Sequence, residues 1–261
     1  MTEAFARALK ELEVTESGPE FWGWYGRTLS ARVESPERGT CWLRVVSAHE
    51  DKAKGKIWEG NREAARLFDG RVRKPALFGF SVVASDGNAY LSELSEHIDE
   101  QVCSPTPVLG TPLRLPDSWW DSLHADLGHV AGASTDRVAV RQEWVDRSVP
   151  RFLGLPAPQI TEWETAHGDL HVANLTRDTP WVLDWEGFGR APVGYDAATL
   201  LVYSLLVPEF AQRVRDVFPV LKTEAGRVAQ IVIATDLMQS ASRGDHPELV
   251  PALRALAAEL A

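Results

Sequence analysis

One short segment constrains this chain more than any other, because it combines a run of polar residues with a predicted hairpin. Residues 167–174 read His-Gly-Asp-Leu-His-Val-Ala-Asn, and residues 183–187 read Leu-Asp-Trp-Glu-Gly. Two apolar stretches with a turn-prone sequence between them are typical of a β-hairpin. With the turn centred near Thr179, the register sets Asn174 opposite Asp184, and directly opposed residues lie about 4.5 to 5.5 Å apart. The sequence therefore predicts that these two side chains can share one ion.

The spacing of the polar residues suits one kind of chemistry. Asp169 and Asn174 are separated by four residues, the interval at which a phosphoryl-transfer loop offers an Asp to the acceptor hydroxyl and an Asn to a metal ion. Mg²⁺ prefers oxygen ligands and commonly takes one or two carboxylates together with phosphate oxygens and water. Because Asn174 and Asp184 are ligands of this kind, the pattern favours phosphoryl transfer from a magnesium nucleotide.

These motifs resemble the aminoglycoside phosphotransferase and choline kinase superfamily, which is related to protein kinases. The resemblance covers about thirty residues and is carried by 167–174, 183–187, Gly189, Pro192 and Asp196. It implies that Asp169 is the catalytic carboxylate and that Asn174 and Asp184 bind the metal. It also implies that His171 lies near the phosphates in the catalytic site.

Two further residues of the motif are expected to support the catalytic loop. By the same resemblance, His167 and Asp196 brace the loop from beneath. We interpret His167 as a buried, hydrogen-bonded histidine and not as an acid or base.

Other interpretations of these residues remain. Singly, Asp169 and Asn174 are also common turn and cap residues, although fixed spacing makes joint coincidence improbable. His167, Asp169 and His171 alternate as His-x-Asp-x-His, which could present ligands for zinc in a metallohydrolase. The other histidines have no ligand spacing, and Cys41 and Cys103 form no pair pattern. The sequence therefore favours phosphoryl transfer.

Length and composition fit the architecture that the resemblance implies. The chain has 261 residues, of which 44% are hydrophobic, enough for one large core or two smaller ones. We expect an α+β, two-lobed protein-kinase-like fold. Residues 1–94 would form a small antiparallel-sheet lobe that binds nucleotide, and residues 95–261 a larger, mostly helical lobe that carries catalysis and the acceptor. Residues 1–20 are predicted to form an amphipathic helix.

The first lobe should supply a cation for the nucleotide phosphates. Residues 21–34 and 40–47 predict two strands of a hairpin, and Arg44 occupies the second strand where the family usually has Lys. Arg binds phosphate well, although its planar fork differs from an ammonium. The alternatives are the lysines of the following loop, namely Lys52, Lys54 and Lys56.

The remaining contacts to the nucleotide are expected from a helix, a strand and a glycine pair. A helix over residues 57–68 would provide Glu63 as the partner of Arg44, with Glu59 in reserve. The short strand 89–94 is expected to link the lobes. The family resemblance implies that the adenine contacts the backbone of three successive residues, Glu93, Leu94 and Ser95. Gly23 and Gly26 form only a faint match to a phosphate-covering glycine loop.

Charge and hydropathy limit the classes of partner that this chain is expected to have. The formal net charge is −10 and the pI about 5.2, which disfavours nucleic acid polymers and anionic membranes as partners. The acidity suits a cationic acceptor, with Glu186, Glu209, Asp236 and Asp245 among the candidate contacts. We also expect a cytoplasmic protein, because the sequence shows no basic leader, no long apolar run and no disulfide framework.

The sequence thus predicts an enzyme that moves the γ-phosphate of ATP, or of GTP, to a hydroxyl of a small molecule with the aid of Mg²⁺. An aminoglycoside-like antibiotic, and hence antibiotic resistance, is the first expectation for the acceptor. A primary metabolite such as an amino alcohol, homoserine or a sugar is the alternative. A kinase-shaped binding module without turnover is a further alternative, since Arg44 replaces Lys. We expect a monomer or a weak homodimer.

Overall fold

The computed structural model describes residues 1–23 and 26–261, including the backbone but not the side chains of Lys56 and Ile57. The described chain divides into two compact units. The first unit comprises Met1–Asp69 and Lys74–Asp99, and the second comprises Gly70–Arg73 and Glu100–Ala261. The sequence placed the boundary between residues 94 and 95.

The first unit is built on an antiparallel sheet. Its elements are α1 (Thr2–Glu11), β1 (Thr15–Trp22), β2 (Thr28–Ser35), β3 (Gly39–His49), α2 (Lys56–Phe68), β4 (Leu77–Ser85) and β5 (Asn88–Glu96). Among the described residues the strand order is β1-β2-β3-β5-β4. The predicted hairpin is confirmed, since β2 pairs with β3. The strand expected near residues 89–94 is β5, which lies between β3 and β4.

Alternation along β3 separates an apolar face from a polar one. Leu43 and Val45 are fully buried in one cluster with Phe5 and Ala8 of α1, because successive strand residues point to opposite faces. Burying a Leu or Phe side chain stabilises the unit by about 1.5–3 kcal/mol each. Arg44 lies on the opposite face, as the sequence pattern predicts.

The expectation of one helix over residues 1–20 is wrong in its second half. Helix α1 ends at Glu11, and β1 begins at Thr15. Pro19 removes a backbone donor and Gly18 disfavours a helix, so neither suits a helix interior. Strand β1 is at the edge of the sheet, with an irregular register between Glu16 and Glu20, which is where a sheet tolerates proline.

The second unit is mostly helical. Its elements are α3 (Asp117–Ala131), α4 (Gln142–Leu153), β6 (Trp163–Ala166), β7 (Gly189–Pro192), α5 (Tyr195–Tyr203), α6 (Pro208–Val217), α7 (Glu224–Ala241) and α8 (Val250–Leu260). Helix α7 is buried along most of its length and packs against α4, α5 and α8. No helix in the described part of the chain is both long enough and apolar enough to cross a bilayer.

The short ribbon of β6 and β7 positions the polar segment found in the sequence. Ala166, the last residue of β6, pairs with Gly189, the first residue of β7. The chain leaving β6 at His167 therefore runs beside the chain entering β7 at Phe188. This pairing brings the polar residues after β6 next to those before β7.

Candidate active site

The ring of His167 joins the two halves of the polar segment. It is fully buried, and its edge packs against Trp185 with ring centroids 4.8 Å apart. Its Nε2 lies 2.9 Å from the carbonyl oxygen of Leu183, and its Nδ1 lies 3.4 Å from the backbone nitrogen of Asp169. Burial lowers the pKa of His167. A neutral ring that donates through Nε2 and accepts at Nδ1 satisfies both contacts, which supports the structural interpretation.

Asp196, in the first turn of α5, holds the same loop from below. Its Oδ2 accepts a hydrogen bond from the backbone N–H of His167 at 2.7 Å, and its Oδ1 accepts one from Gly168 at 3.0 Å. Burial raises the pKa of Asp196 to about 7, against the effect of these two hydrogen bonds. The structure therefore brings together His167 and Asp196, the two residues expected to support the loop.

Asp169 and Asn174 lie at the two ends of a tight turn. The Nδ2 of Asn174 donates to the backbone oxygen of Asp169 at 2.9 Å and lies 3.4 Å from its Oδ2. The side chain of Asp169 remains about half exposed, at 48%. Burial alone would raise the pKa of Asp169, but the contacts with His171, His167 and Asn174 hold it below its usual value. Asp169 is thus an ionised and accessible carboxylate.

His171 supports this carboxylate from the buried side. Its Nε2 lies 3.6 Å from Oδ2 of Asp169, and its ring packs edge-on against Tyr203, with centroids 5.2 Å apart. Tyr203 in turn packs against His246 at 5.7 Å. Among the described residues, Nδ1 of His171 is buried without a hydrogen-bond partner. These contacts favour a positioning role for His171.

Further carboxylates lie around Tyr203. Burial raises the pKa of Tyr203, and the negative charges of Asp169, Asp236 and Asp245 raise it further. Asp236 and Asp245 come from α7 and from the turn that follows it. The surroundings of this ring are therefore both aromatic and acidic.

The hairpin that carries Asp184 is shifted by one residue from the predicted register. Leu175 bridges Val182, and the N–H of Leu183 donates to the carbonyl of Asn174 at 2.9 Å. Asn174 is therefore opposite Leu183, and the prediction that it is opposite Asp184 is wrong. The turn is tightened by a hydrogen bond from the Thr176 hydroxyl to the backbone oxygen of Thr179, which a count of turn-prone residues does not reveal.

Asp184 has an unusual backbone conformation. It is exposed, with φ 59° and ψ 72°, the left-handed region that residues other than glycine rarely adopt. Such strain costs on the order of 1–3 kcal/mol and is concentrated at functional sites. Glu13, Asp86 and His246 also have a positive φ among the described residues, so the conformation agrees with a functional role for Asp184 but does not by itself assign one.

Arg137 supports the loop after Asp184, a role that no pattern in the sequence indicates. Its Nε donates to the carbonyl of Phe188 at 3.0 Å and its Nη2 to that of Glu186 at 2.8 Å. Its guanidinium also lies over the Phe188 ring, 4.5 Å from the centroid. Because these contacts are with backbone atoms about fifty residues away, no local pattern reveals them.

The side chains present fit Mg²⁺ better than zinc. Because Nδ2 of Asn174 is bonded to the loop, its amide oxygen is directed elsewhere, and together with the exposed Asp184 it offers the oxygen ligands that Mg²⁺ prefers. In the zinc alternative, His167 would be a ligand, but its Nε2 is already held by Leu183. No group of three or more His, Cys, Asp or Glu in the described part of the chain is arranged to hold a metal ion.

In the first unit, Arg44 pairs with a different carboxylate from the one expected. Its Nη1 lies 3.4 Å from Oε2 of Glu93, and Nδ2 of Asn61 donates to the same oxygen at 2.7 Å. The carboxylate of Glu63 instead binds Arg66 at 3.1 Å. The predicted pairing of Arg44 with Glu63 is therefore wrong, and Asn61 is a residue that the sequence analysis missed.

The backbone expected to contact adenine is occupied by the sheet. Glu93, Leu94 and Ser95 each have a partner on β3 and another on β4, and a strand with two neighbours directs its N–H and C=O groups towards them. On the Arg44 face of β3, the ring of Trp42 packs against two other rings. Its centroid lies 5.7 Å from that of Phe21 and 6.0 Å from that of His97.

The glycine pair Gly23 and Gly26 lies in the turn between β1 and β2. The N–H of Gly26 donates to the carbonyl of Gly23 at 3.0 Å, and the N–H of Gly23 donates to the carbonyl of Thr28 at 3.0 Å. Trp24 and Tyr25, between the two glycines, lie outside the described residues. The side chain of Lys56, one of the alternative cations, lies outside them as well.

Comparison with known proteins supports the resemblance found in the sequence. Residues 105–221 match the family model described as APH, phosphotransferase enzyme family. A comparison of the sequence with curated proteins finds no match.

Solved structures show the same fold. An amicoumacin kinase in complex with AMP-PNP, Ca²⁺ and Ami is 12% identical, with a TM-score of 0.59 over 99% of this chain and 95% of that one. The choline kinase LicA from Streptococcus pneumoniae is 11% identical, with a TM-score of 0.60 over 99% and 97%. At these identities the likeness concerns the fold, and it confirms the predicted α+β, protein-kinase-like class.

Proposed function

We propose that this chain, whose residues 105–221 match the phosphotransferase enzyme family and whose fold is protein-kinase-like, phosphorylates a hydroxyl group of a small molecule with ATP. The observation that carries the proposal is the turn in which Asn174 orients Asp169 while Asp169 stays ionised and accessible. Such a carboxylate can orient a hydroxyl and accept its proton.

In the proposed reaction, the acceptor oxygen forms a bond to the γ-phosphorus as the bond from that phosphorus to the β–γ bridging oxygen breaks. ADP leaves with the bridging oxygen, and the acceptor proton passes to Asp169. The contacts of Asp169 with His171 and Asn174 are made by Oδ2, so we assign Oδ1 to the acceptor hydroxyl. A base of ordinary strength suffices, because the transition state is loose and the proton moves late.

The metal and the nucleotide are assigned by the chemistry of the side chains. Asn174 and Asp184 would hold Mg²⁺, which when bound neutralises charge on the phosphates. Arg44 would bind the phosphates. Because the backbone of residues 93–95 is paired within the sheet, we assign the adenine contacts to the chain after Glu96 and to the ring of Trp42.

For the acceptor we propose a cationic small molecule, such as an aminoglycoside-like antibiotic or an amino alcohol. The support is that the surroundings of Tyr203 are acidic and aromatic. The negative charges of Asp169, Asp236 and Asp245 all raise the pKa of this tyrosine. A cation is attracted both to carboxylates and to the face of an aromatic ring. Neutral acceptors such as sugars lack this attraction.

The test is release of ADP from ATP, or of GDP from GTP, by the purified protein across a panel of aminoglycosides, amino alcohols, homoserine and sugars. Phosphate transfer would be followed by ³¹P NMR, with Mg²⁺ present and then removed by a chelator. We expect transfer to at least one cationic acceptor, abolished by chelation and strongly reduced by Asp169→Asn. Nucleotide binding without transfer to any compound would favour the binding module without turnover.

A further inference from the structure

The pairing of Arg44 with Glu93 has a consequence for how the nucleotide is bound. The two residues are directly opposite each other on β3 and β5, and Arg44 Nη1 lies 3.4 Å from Glu93 Oε2. We infer that the Glu93 carboxylate is the positioning residue that holds Arg44 towards the nucleotide phosphates, with Asn61 as its hydrogen-bond partner. This inference rests on the proposed function.

The acids of helix α2 are engaged elsewhere. Glu63 binds Arg66, and Glu59 accepts a hydrogen bond at 3.3 Å from the backbone N–H of Gly55 at the start of the helix. The helix sends Asn61 to the Arg44 face instead, where its amide donates to Glu93 at 2.7 Å. The acidic partner of the strand cation therefore comes from the sheet and not from the helix.

The Glu93 carboxylate is almost completely removed from water. Glu93 is only 3% exposed, and a carboxylate removed from water is costly unless it is paired and hydrogen-bonded. Burial raises the pKa of Glu93, and Arg44, Asn61 and Arg62 counteract this rise. The Arg44 side chain is 16% exposed, so one member of the pair is buried while the other reaches the surface.

An arginine is suited to this arrangement. Its guanidinium is a planar fork with five N–H donors, so one edge can contact a carboxylate while another binds a phosphate. Because Glu93 lies on the neighbouring strand, the sheet itself sets the position of Arg44. A displacement of α2 would then change the contact of Asn61 but leave the Arg44–Glu93 pair in place.

The experiment exchanges the amide and the carboxylate between positions 61 and 93. The wild type would be compared with three variants. These are Glu93→Gln, the exchange variant that combines Asn61→Asp with Glu93→Gln, and Glu96→Gln as a control on the same strand. The readouts are the Kd for MgATP from calorimetry, and KM for ATP and kcat measured separately. Circular dichroism and thermal unfolding would establish that each variant is folded.

We expect Glu93→Gln to raise the Kd and KM for ATP about 10-fold or more with a smaller change in kcat, since the loss concerns binding of the phosphates. The exchange variant should recover most of this loss, because it restores one carboxylate beside Arg44, and Glu96→Gln should match the wild type. If Glu93→Gln does not fold, the exchange variant alone decides, and a folded exchange variant that binds MgATP no better than Arg44→Met would overturn the inference.

Two other results separate the inference from the proposed function. Unchanged MgATP affinity in folded Glu93→Gln, or an equal loss in Glu63→Gln, would overturn the inference while leaving the proposed function intact. A wild-type protein that binds no nucleotide would overturn both.

Discussion

Gly168 and Gly187 lie so close together that a Cβ atom at position 168 would be 2.6 Å from the carbonyl oxygen of Gly187. Gly168 also has a φ of +85°, a conformation that other residues adopt only at a cost. The catalytic loop and the turn after Asp184 are thus in backbone contact, and glycine is required at this position for two separate reasons.

We predict that Gly168→Ala destabilises the protein by several kcal/mol and abolishes transfer, because the loop must move away from Gly187. Gly154→Ala is the matched control, since Gly154 has a φ of +71° but no atom within 4 Å of an added Cβ. Gly154→Ala should lower the free energy of unfolding by only about 1–2 kcal/mol, because it introduces backbone strain without a steric clash. The measurement is urea unfolding, and equal losses in the two variants would contradict the role of the close approach.

Replacing Asp169 by Asn should separate chemistry from binding. Removing the group that accepts the proton should lower kcat by about 10²–10⁴-fold, while the affinity for MgATP changes little because Asp169 is assigned to the acceptor. Asp178→Asn, an exposed change in the same hairpin, is the control for kcat. A variant that loses nucleotide binding but keeps its turnover at saturating ATP would refute the assignment of Asp169.

The contact between His171 and Asp169 predicts a shift in the pH profile. Because His171 helps to keep the pKa of Asp169 below its usual value, its removal should raise that pKa. Asp169 must be ionised to accept a proton, so the acid limb of kcat/KM should move to higher pH in His171→Asn. His246→Asn, which alters another ring packed on Tyr203, should leave the limb in place. An unshifted limb in His171→Asn would rule out this contact as the cause.

The raised pKa of Asp196 leads us to expect that the stability of the protein depends on pH. Burial raises its pKa from 3.8 to about 7, so the folded protein binds this proton more tightly than the unfolded chain. The contribution to stability is therefore full below pH ~4 and lost as the pH rises through about 7. A difference of about three pH units corresponds to at most ~4 kcal/mol.

In Asp196→Asn this position no longer titrates, so the free energy of unfolding should fall less steeply between pH 4 and 7 than in the wild type. Urea titrations at several pH values would measure it, with the exposed Asp121→Asn as the control. Parallel profiles for wild type and Asp196→Asn would show that Asp196 does not titrate in this range.

The sequence was most informative where residues close in the chain are also close in space. The hairpin of β2 and β3 and the opposite faces of Arg44 and Leu43 were predicted by local alternation, and the prediction that His167 is buried and hydrogen-bonded is confirmed. The fold class followed from the resemblance that the spacing of the motifs suggested, and it is confirmed.

Long-range partners were not predictable in the same way. The pairing of Arg44 with Glu93 depends on the register of β3 with β5, which are separated by a helix and another strand, and Arg137 acts on backbone atoms far along the chain. The predicted hairpin register near Asn174 was wrong by one residue, because the hydrogen bonds of Thr176 tighten the turn. In each case the missing information was which backbone groups pair.

The proline and the irregular register in β1 have a further consequence. The outer edge of a sheet can recruit a strand from another molecule, and charged residues, bulges and proline hinder this. Pro19 has no amide hydrogen to offer at that edge, and Glu16 and Glu20 flank it. Pro19 and the two glutamates should therefore protect the first unit against intermolecular strand addition and aggregation along this side.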